Sequence, residues 1–251
     1  MDTLRDIDLV RDVTLVTEWR AAAEPADDVL GVMDVRFSVF DTWYEVDSFF
    51  EGTFMEKTAR GSFTKTISEN RDTIKVLYDH GHDFQVGNKV LGPITDLREK
   101  KDSPVGVVDL LDTTYNRDLL PGLKRGVYGS SFRFRVIKDE WNDEPGTSAT
   151  NPKGLPERTI KEIRLFEFGP VTFPANPAAT AGVRSATDHF YEALRASNPD
   201  RFAELVARAT SLRTPGQGAA PDRTDEPHDS TPRTTQPERR QRAANVRGVT
   251  A

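Results

Sequence analysis

The chain has 251 residues, of which 36% are hydrophobic and 29% charged, with a net charge of −6 and no cysteine. The missing cysteines exclude a disulfide scaffold, a thiolate metal site and a cysteine nucleophile, and the acidic balance argues against a whole-protein nucleic-acid footprint. The charged start lacks the apolar core of a signal peptide, and no apolar run approaches the roughly 20 residues of a membrane span, so the sequence reads as a soluble, cytosolic protein.

Residues 1–28 read as a peripheral N-terminal segment that ends in the loop AAAEPADD at 21–28. A β-like pattern starts at Val29, with Val32, Phe37 and Val39 in a strand-rich stretch. Residues 52–58 predict a short strand, and Gly61-Ser62 opens a short helix through about Glu69. The compact apolar run TIKVLY at 73–78 predicts a strand that ends in Asp79-His80. Residues 86–97 and 105–111 predict a strand pair turning through the polar stretch 98–103. Residues 115–124 look helical, with Pro121 expected to bend or shift the helix. Residues 127–137 predict a strong strand, with Phe132, Phe134 and Val136 on one face and Ser131, Arg133 and Arg135 on the other. A Pro-, Gly- and Asn-rich loop spans 139–157, and a strand returns at 159–168. Residues 187–212 are helical, split near Pro199.

Strand follows strand with no βαβ rhythm, which predicts an α+β fold: a mostly antiparallel, barrel-like domain over residues 29–183, flanked by helices. Residues 184–212 form a C-terminal helical segment. From 213 to 251 the large apolar residues are Val246 and Val249 alone, prolines recur, and seven Arg stand against five Asp and Glu. Such a segment buries too little apolar area to offset its ordering entropy, so it is read as a disordered tail.

Three segments carry candidate chemistry. The first is Asp79-His80-Gly81-His82-Asp83 at a strand end, which reads as a polar turn, a metal site, or a source of a general base. The second is Gly129-Ser130-Ser131-Phe132-Arg133, where small residues before Ser131 leave room for a substrate backbone. It lacks the strand-turn-helix form of a nucleophile elbow. The third is Leu165-Phe166-Glu167-Phe168, where an acid among large apolar residues calls for a partner. Alternation puts Glu162 on the opposite face from Glu167.

Taken in order, the His80 turn with Val86-Gly87, the Gly129-Ser130-Ser131-Phe132 strand, and Leu165-Phe166-Glu167 leading to Thr172-Phe173-Pro174-Ala175-Asn176-Pro177 resemble the prohead (capsid maturation) serine proteases of tailed bacteriophages. Arg60-Gly61-Ser62-Phe63 looks like the same family's Gly-Ala/Ser-Phe turn. The resemblance spans about residues 29–179. It implies a fold like that of the herpesvirus assemblins and a serine endopeptidase in which Ser131 matches the nucleophile and His80 the base. His80 is preferred to His82 because it ends the strand and stands seven residues before Gly87. Glu167 matches the acidic third member, with Glu162 the alternative. Arg133 departs from the family's frequent Gly. Backbone amides near Ser131, or the Arg133 and Arg135 side chains, are candidate oxyanion donors.

The resemblance implies no cofactor and no metal. It implies the major capsid protein and the scaffold protein as substrates, with self-cleavage as well. It places the enzyme inside the assembling prohead in the host cytoplasm, with no nucleic-acid or membrane partner, and leaves a homo-oligomer open. Two rival readings are a non-enzymatic capsid assembly or scaffold factor and a metal-dependent hydrolase built on Asp79, His80, His82 and Asp83.

Overall fold

The computed structural model describes residues 7–14, 17–23, 26–172 and 186–213, with side chains through residue 207. The expected disordered tail and the stretch 173–177 of the third motif lie outside the described residues, apart from Arg213 at a helix end. Among the described residues no helix is long and apolar enough to cross a membrane.

Two long strands organise the domain: β9 (Gly129–Asn142) and β10 (Glu157–Val171), counted in chain order and paired antiparallel along most of their length. Phe132, Phe134 and Val136 of β9 are buried, as the alternation predicts. They pack with Phe37, Phe63 and Phe168 into one aromatic core, in which Phe37 stacks on Phe168 at 4.5 Å and Phe132 on Phe134 at 4.7 Å. Each such ring pair contributes about 0.5–1.5 kcal/mol beyond its area.

The larger sheet has the order β1 (Leu9–Val13), β9, β10, β5 (Gly52–Thr58), β4 (Tyr44–Ser48), with β6 (Lys75–Val76) also on β10. The smaller sheet has the order β2 (Glu18–Arg20), β3 (Val29–Arg36), β8 (Pro104–Leu111), β7 (Ile94–Glu99). The two meet closely at Gly106 of β8, where a Cβ would overlap the Phe168 ring of β10. Helices α1 (Thr64–Asn70), α2 (Thr114–Arg125), α3 (Ala186–Ser197) and α4 (Pro199–Arg213) flank them, α2 carrying Pro121 internally and ending on left-handed Gly126.

The structure corrects the sequence reading in four places. The fold is mixed α+β and mostly antiparallel, but the described strands form two open sheets and not a closed barrel. The reason lies in β10, whose start pairs in parallel with β5 and whose end pairs in parallel with β6, leaving β1 and β4 as edges. The segment 1–28 is not peripheral where it is described. Leu9 enters the main core, while Val10 packs against Phe190 and Tyr191 of α3. A strand buried on both faces shows no clean apolar alternation, so β1 was not legible. The strands expected at 73–78 and 86–97 shorten to Lys75–Val76 and Ile94–Glu99. Between them Leu91 donates to the Val76 carbonyl and accepts from the Leu111 amide, without an extended ladder. Strand β9 also runs on to Asn142, so the loop expected from 139 starts later.

Candidate active site

Ser131 lies opposite Asp12 of β1 and Gly169 of β10, and Arg133 lies opposite Glu167. Directly opposed residues of antiparallel strands share a face. Ser131, Asp12, Arg133 and Glu167 therefore line the side of the sheet away from Phe132. The neighbouring Ser130 faces the other way, with its Oγ 2.9 Å from Thr17 Oγ1.

Glu167 reaches this side through an irregularity. Leu165 is a core residue opposite Phe134, and strict alternation from it would turn Glu167 inward as well. A register shift between Leu165 and Glu167 re-aims the carboxylate, the usual effect of a β-bulge. Glu162 stays away, paired with Lys65 at 3.0 Å and Lys138 at 2.7 Å.

His80 sits on a tight turn after β6. Asp79 and His80 both adopt left-handed backbone, φ 46° and 58°, which costs a non-glycine residue roughly 1–2 kcal/mol. Backbone bonds from Gly81 N to Tyr78 O and from His82 N to Asp79 O hold the turn. Asp79 Oδ1 also accepts the Thr172 amide, and the Tyr78 and Thr172 hydroxyls bond each other. Strain of this kind concentrates at functional sites. The approach of the turn to the sheet depends on Gly169, where a Cβ would overlap the Leu77 carbonyl.

The result is a direct contact. His80 Nδ1 lies 2.6 Å from Glu167 Oε1, and the carboxylate is 1% exposed. His80 Nε2 lies 3.9 Å from Asp12 Oδ1. Burial alone would lower the His80 pKa, but the carboxylates of Glu167 and Asp12 push it up from 6.5 to about 10. His82 behaves in the opposite way. Burial, and then the neighbouring His80, bring it down to about 4, and its ring meets Phe190 edge-on at 5.1 Å.

The Ser131 hydroxyl is fully buried and donates to the Arg11 carbonyl of β1 at 3.1 Å. In this conformation its proton is therefore not directed at His80. Arg133 and Arg135 both bind Asp8, at 3.1 and 2.6 Å, and Arg133 Nε stands 3.5 Å from Glu167. The rival metal cluster does not converge. Asp79 holds Thr172, Asp83 Oδ1 accepts the Gln85 and Val86 amides, and His82 packs on Phe190. Among the described residues no group of three or more His, Asp or Glu side chains could hold a metal ion.

The structure thus joins His80 to Glu167 and sets Ser131 on the same face, while Glu162 and His82 stay outside the contact. Asp12 and Phe190 were missed by the sequence reading. Asp12 stands on a strand hidden by its charged flanks, and Phe190 lies on a helix read only for its apolar spacing.

Residues 18–192 match the family model described as caudovirus prohead serine protease. A solved structure, the capsid assembly protease gp21 of bacteriophage T4, is similar with a TM-score of 0.43 and 12% identity, over 66% of this chain and 98% of that one. No curated protein sequence matches.

Proposed function

Because the chain belongs to the caudovirus prohead serine proteases, and so is a serine protease rather than a non-enzymatic assembly factor, we propose that Ser131 is its nucleophile, His80 the general base and Glu167 the residue that orients His80. The observation that carries this reading is the 2.6 Å contact between His80 Nδ1 and Glu167 on the face that holds Ser131.

The chemistry follows from the roles. A serine hydroxyl is a weak nucleophile at neutral pH and needs an adjacent base. As Ser131 Oγ attacks the scissile carbonyl, His80 Nε2 takes its proton and later passes it to the leaving amine. Glu167 fixes the Nδ1–H tautomer and stabilises the imidazolium that forms. Water then attacks the acyl-enzyme, with His80 again as base, releasing the acid and restoring Ser131. Backbone amides suit the oxyanion better than Arg133 and Arg135, which Asp8 already engages; one such donor is worth about 2.7–4 kcal/mol.

The substrates are capsid assembly proteins: the scaffold, or a scaffolding segment of the major capsid protein, and the protease itself. Tail residues 213–251, polar and proline-rich, suit self-cleavage. The enzyme works in the host cytoplasm inside the assembling prohead. The test is co-expression with the major capsid protein, comparing the wild type with Ser131→Ala and His80→Ala by intact mass. Trimmed capsid protein or tail in the wild type alone supports the reading. Identical uncut masses from all three chains inside assembled shells overturn it.

A further inference from the structure

We propose that Leu9–Val13 is a tethered, substrate-like strand that fills the cleft beside Ser131 and holds the protease latent until it is displaced. The inference rests on the assignment of Ser131 and His80 above.

Strand β9 has two edges. One is taken by β10, and the other is the edge on which an extended polypeptide could add as a further strand, a common mode of peptide recognition. That edge is occupied by β1, paired antiparallel from Leu9↔Phe134 to Val13↔Ser130. The peptide unit between Arg11 and Asp12 therefore lies against Ser131, and its carbonyl accepts the Ser131 proton at 3.1 Å. Asp12 then sends its carboxylate to within 3.9 Å of His80 Nε2, the nitrogen that must receive that proton during catalysis. Both reacting atoms are thus engaged by the same two residues. The two carboxylates also favour a charged imidazole, with a pKa of about 10, and an imidazolium has no lone pair with which to act as base. A productive site needs Nε2 free of Asp12.

The strand is firmly anchored. Arg11 makes two bonds to Glu51, at 2.8 and 2.6 Å, and two to Glu56, at 2.7 and 3.2 Å. Thr187 at the start of α3 accepts the Val10 amide and donates to the Val10 carbonyl. A buried charged anchor of this kind is costly to break, so release calls for cutting the connection after Val13 or for a competing strand, and not for ordinary fluctuation. The family match begins at residue 18, after β1 ends. The strand therefore lies outside the part of the chain that the match covers.

The test uses the full chain with a specific protease recognition sequence inserted after Thr14, so that the folded protein can be cut there. The rate at which an alkyl fluorophosphonate labels the protein is read by intact mass, and retention of the cut strand by native mass. A latch closed in more than about nine molecules of ten lowers the competent fraction by that factor, so loss of the strand is expected to speed labelling at least about tenfold. A synthetic peptide of residues 7–14 is expected to slow it again. Where the cut strand stays bound, the uncut Asp12→Ala variant serves instead, and is expected to label faster than wild type. Equal rates in wild type and in the stripped or Asp12→Ala forms overturn the latch while leaving Ser131 as nucleophile. Absence of labelling in every form, with the strand gone, overturns the Ser131 assignment and the latch together.

Discussion

Glu167→Gln removes one carboxylate from His80 while keeping the length of the side chain and an oxygen for the Nδ1 hydrogen. Unit charges about 4 Å apart interact by about 4 kcal/mol at the effective dielectric near 20 that suits such sites. At about 1.36 kcal/mol per pKa unit that is roughly 3 units. Asp12 remains near Nε2, so a fall of roughly 2–3 units from the wild-type value is expected. The assay is a pH titration of the imidazole resonances by NMR. His80 is expected to titrate near 10 in the wild type, while His82, titrating near 4, serves as internal control. Stability must change in step. His80 has a folded pKa above its ordinary 6.5, so its contribution is complete below that value and is lost as pH rises through about 10. The variant should therefore be less stable by about 3 kcal/mol below pH 6.5, with the deficit vanishing above pH 10. In the active enzyme kcat is expected to fall by roughly 10³–10⁴. A His80 midpoint within about half a unit of wild type in Glu167→Gln would refute the pairing and the role built on it.

Further substitutions probe the neighbouring parts. His82→Gln should keep activity within about tenfold, whereas His80→Ala should lose at least about 10³-fold, as measured on a capsid-derived peptide. Gly169→Ala forces a Cβ into the Leu77 carbonyl and so displaces the His80 turn; kcat should drop by about 10²-fold, with little change in KM. Arg158→Ala strips a fully buried guanidinium from Glu56 and Asp139 and should cost about 3–5 kcal/mol in a denaturant melt. Burial would raise the Glu56 pKa, but Arg11 and Arg158 hold it below 4.5. In the wild type that stabilisation is present above about pH 4.5 and is lost as pH falls; the Arg158→Ala melt should show a smaller acid-induced loss.

The sequence made β9 legible because a strand with one core face alternates, and Phe132, Phe134 and Val136 did so cleanly. The same alternation separated Ser131 from Ser130. Glu167 was found by its company and by family likeness; periodicity counted from Leu165 would have turned it into the core, since no local pattern announces a bulge. Strand β1 escaped because both of its faces are covered and its charges read as solvated. Arg11 is in fact paired with Glu51 and Glu56, acids some 40 residues away, and a single sequence does not reveal such a partnership. The open sheets escaped for a similar reason. The parallel contacts of β10 with β5 and β6 are long-range choices that hairpin-style reading does not foresee.

Locating the covalent adduct decides whether Ser131 is the nucleophile. The full chain would be incubated to completion with an alkyl fluorophosphonate, digested, and the peptides containing residues 129–135 fragmented by tandem mass spectrometry. The phosphonyl group is expected on Ser131, absent from Ser131→Ala and strongly slowed in His80→Ala. An adduct on Ser130, or on a serine elsewhere in the chain with Ser131 unmodified, would contradict it.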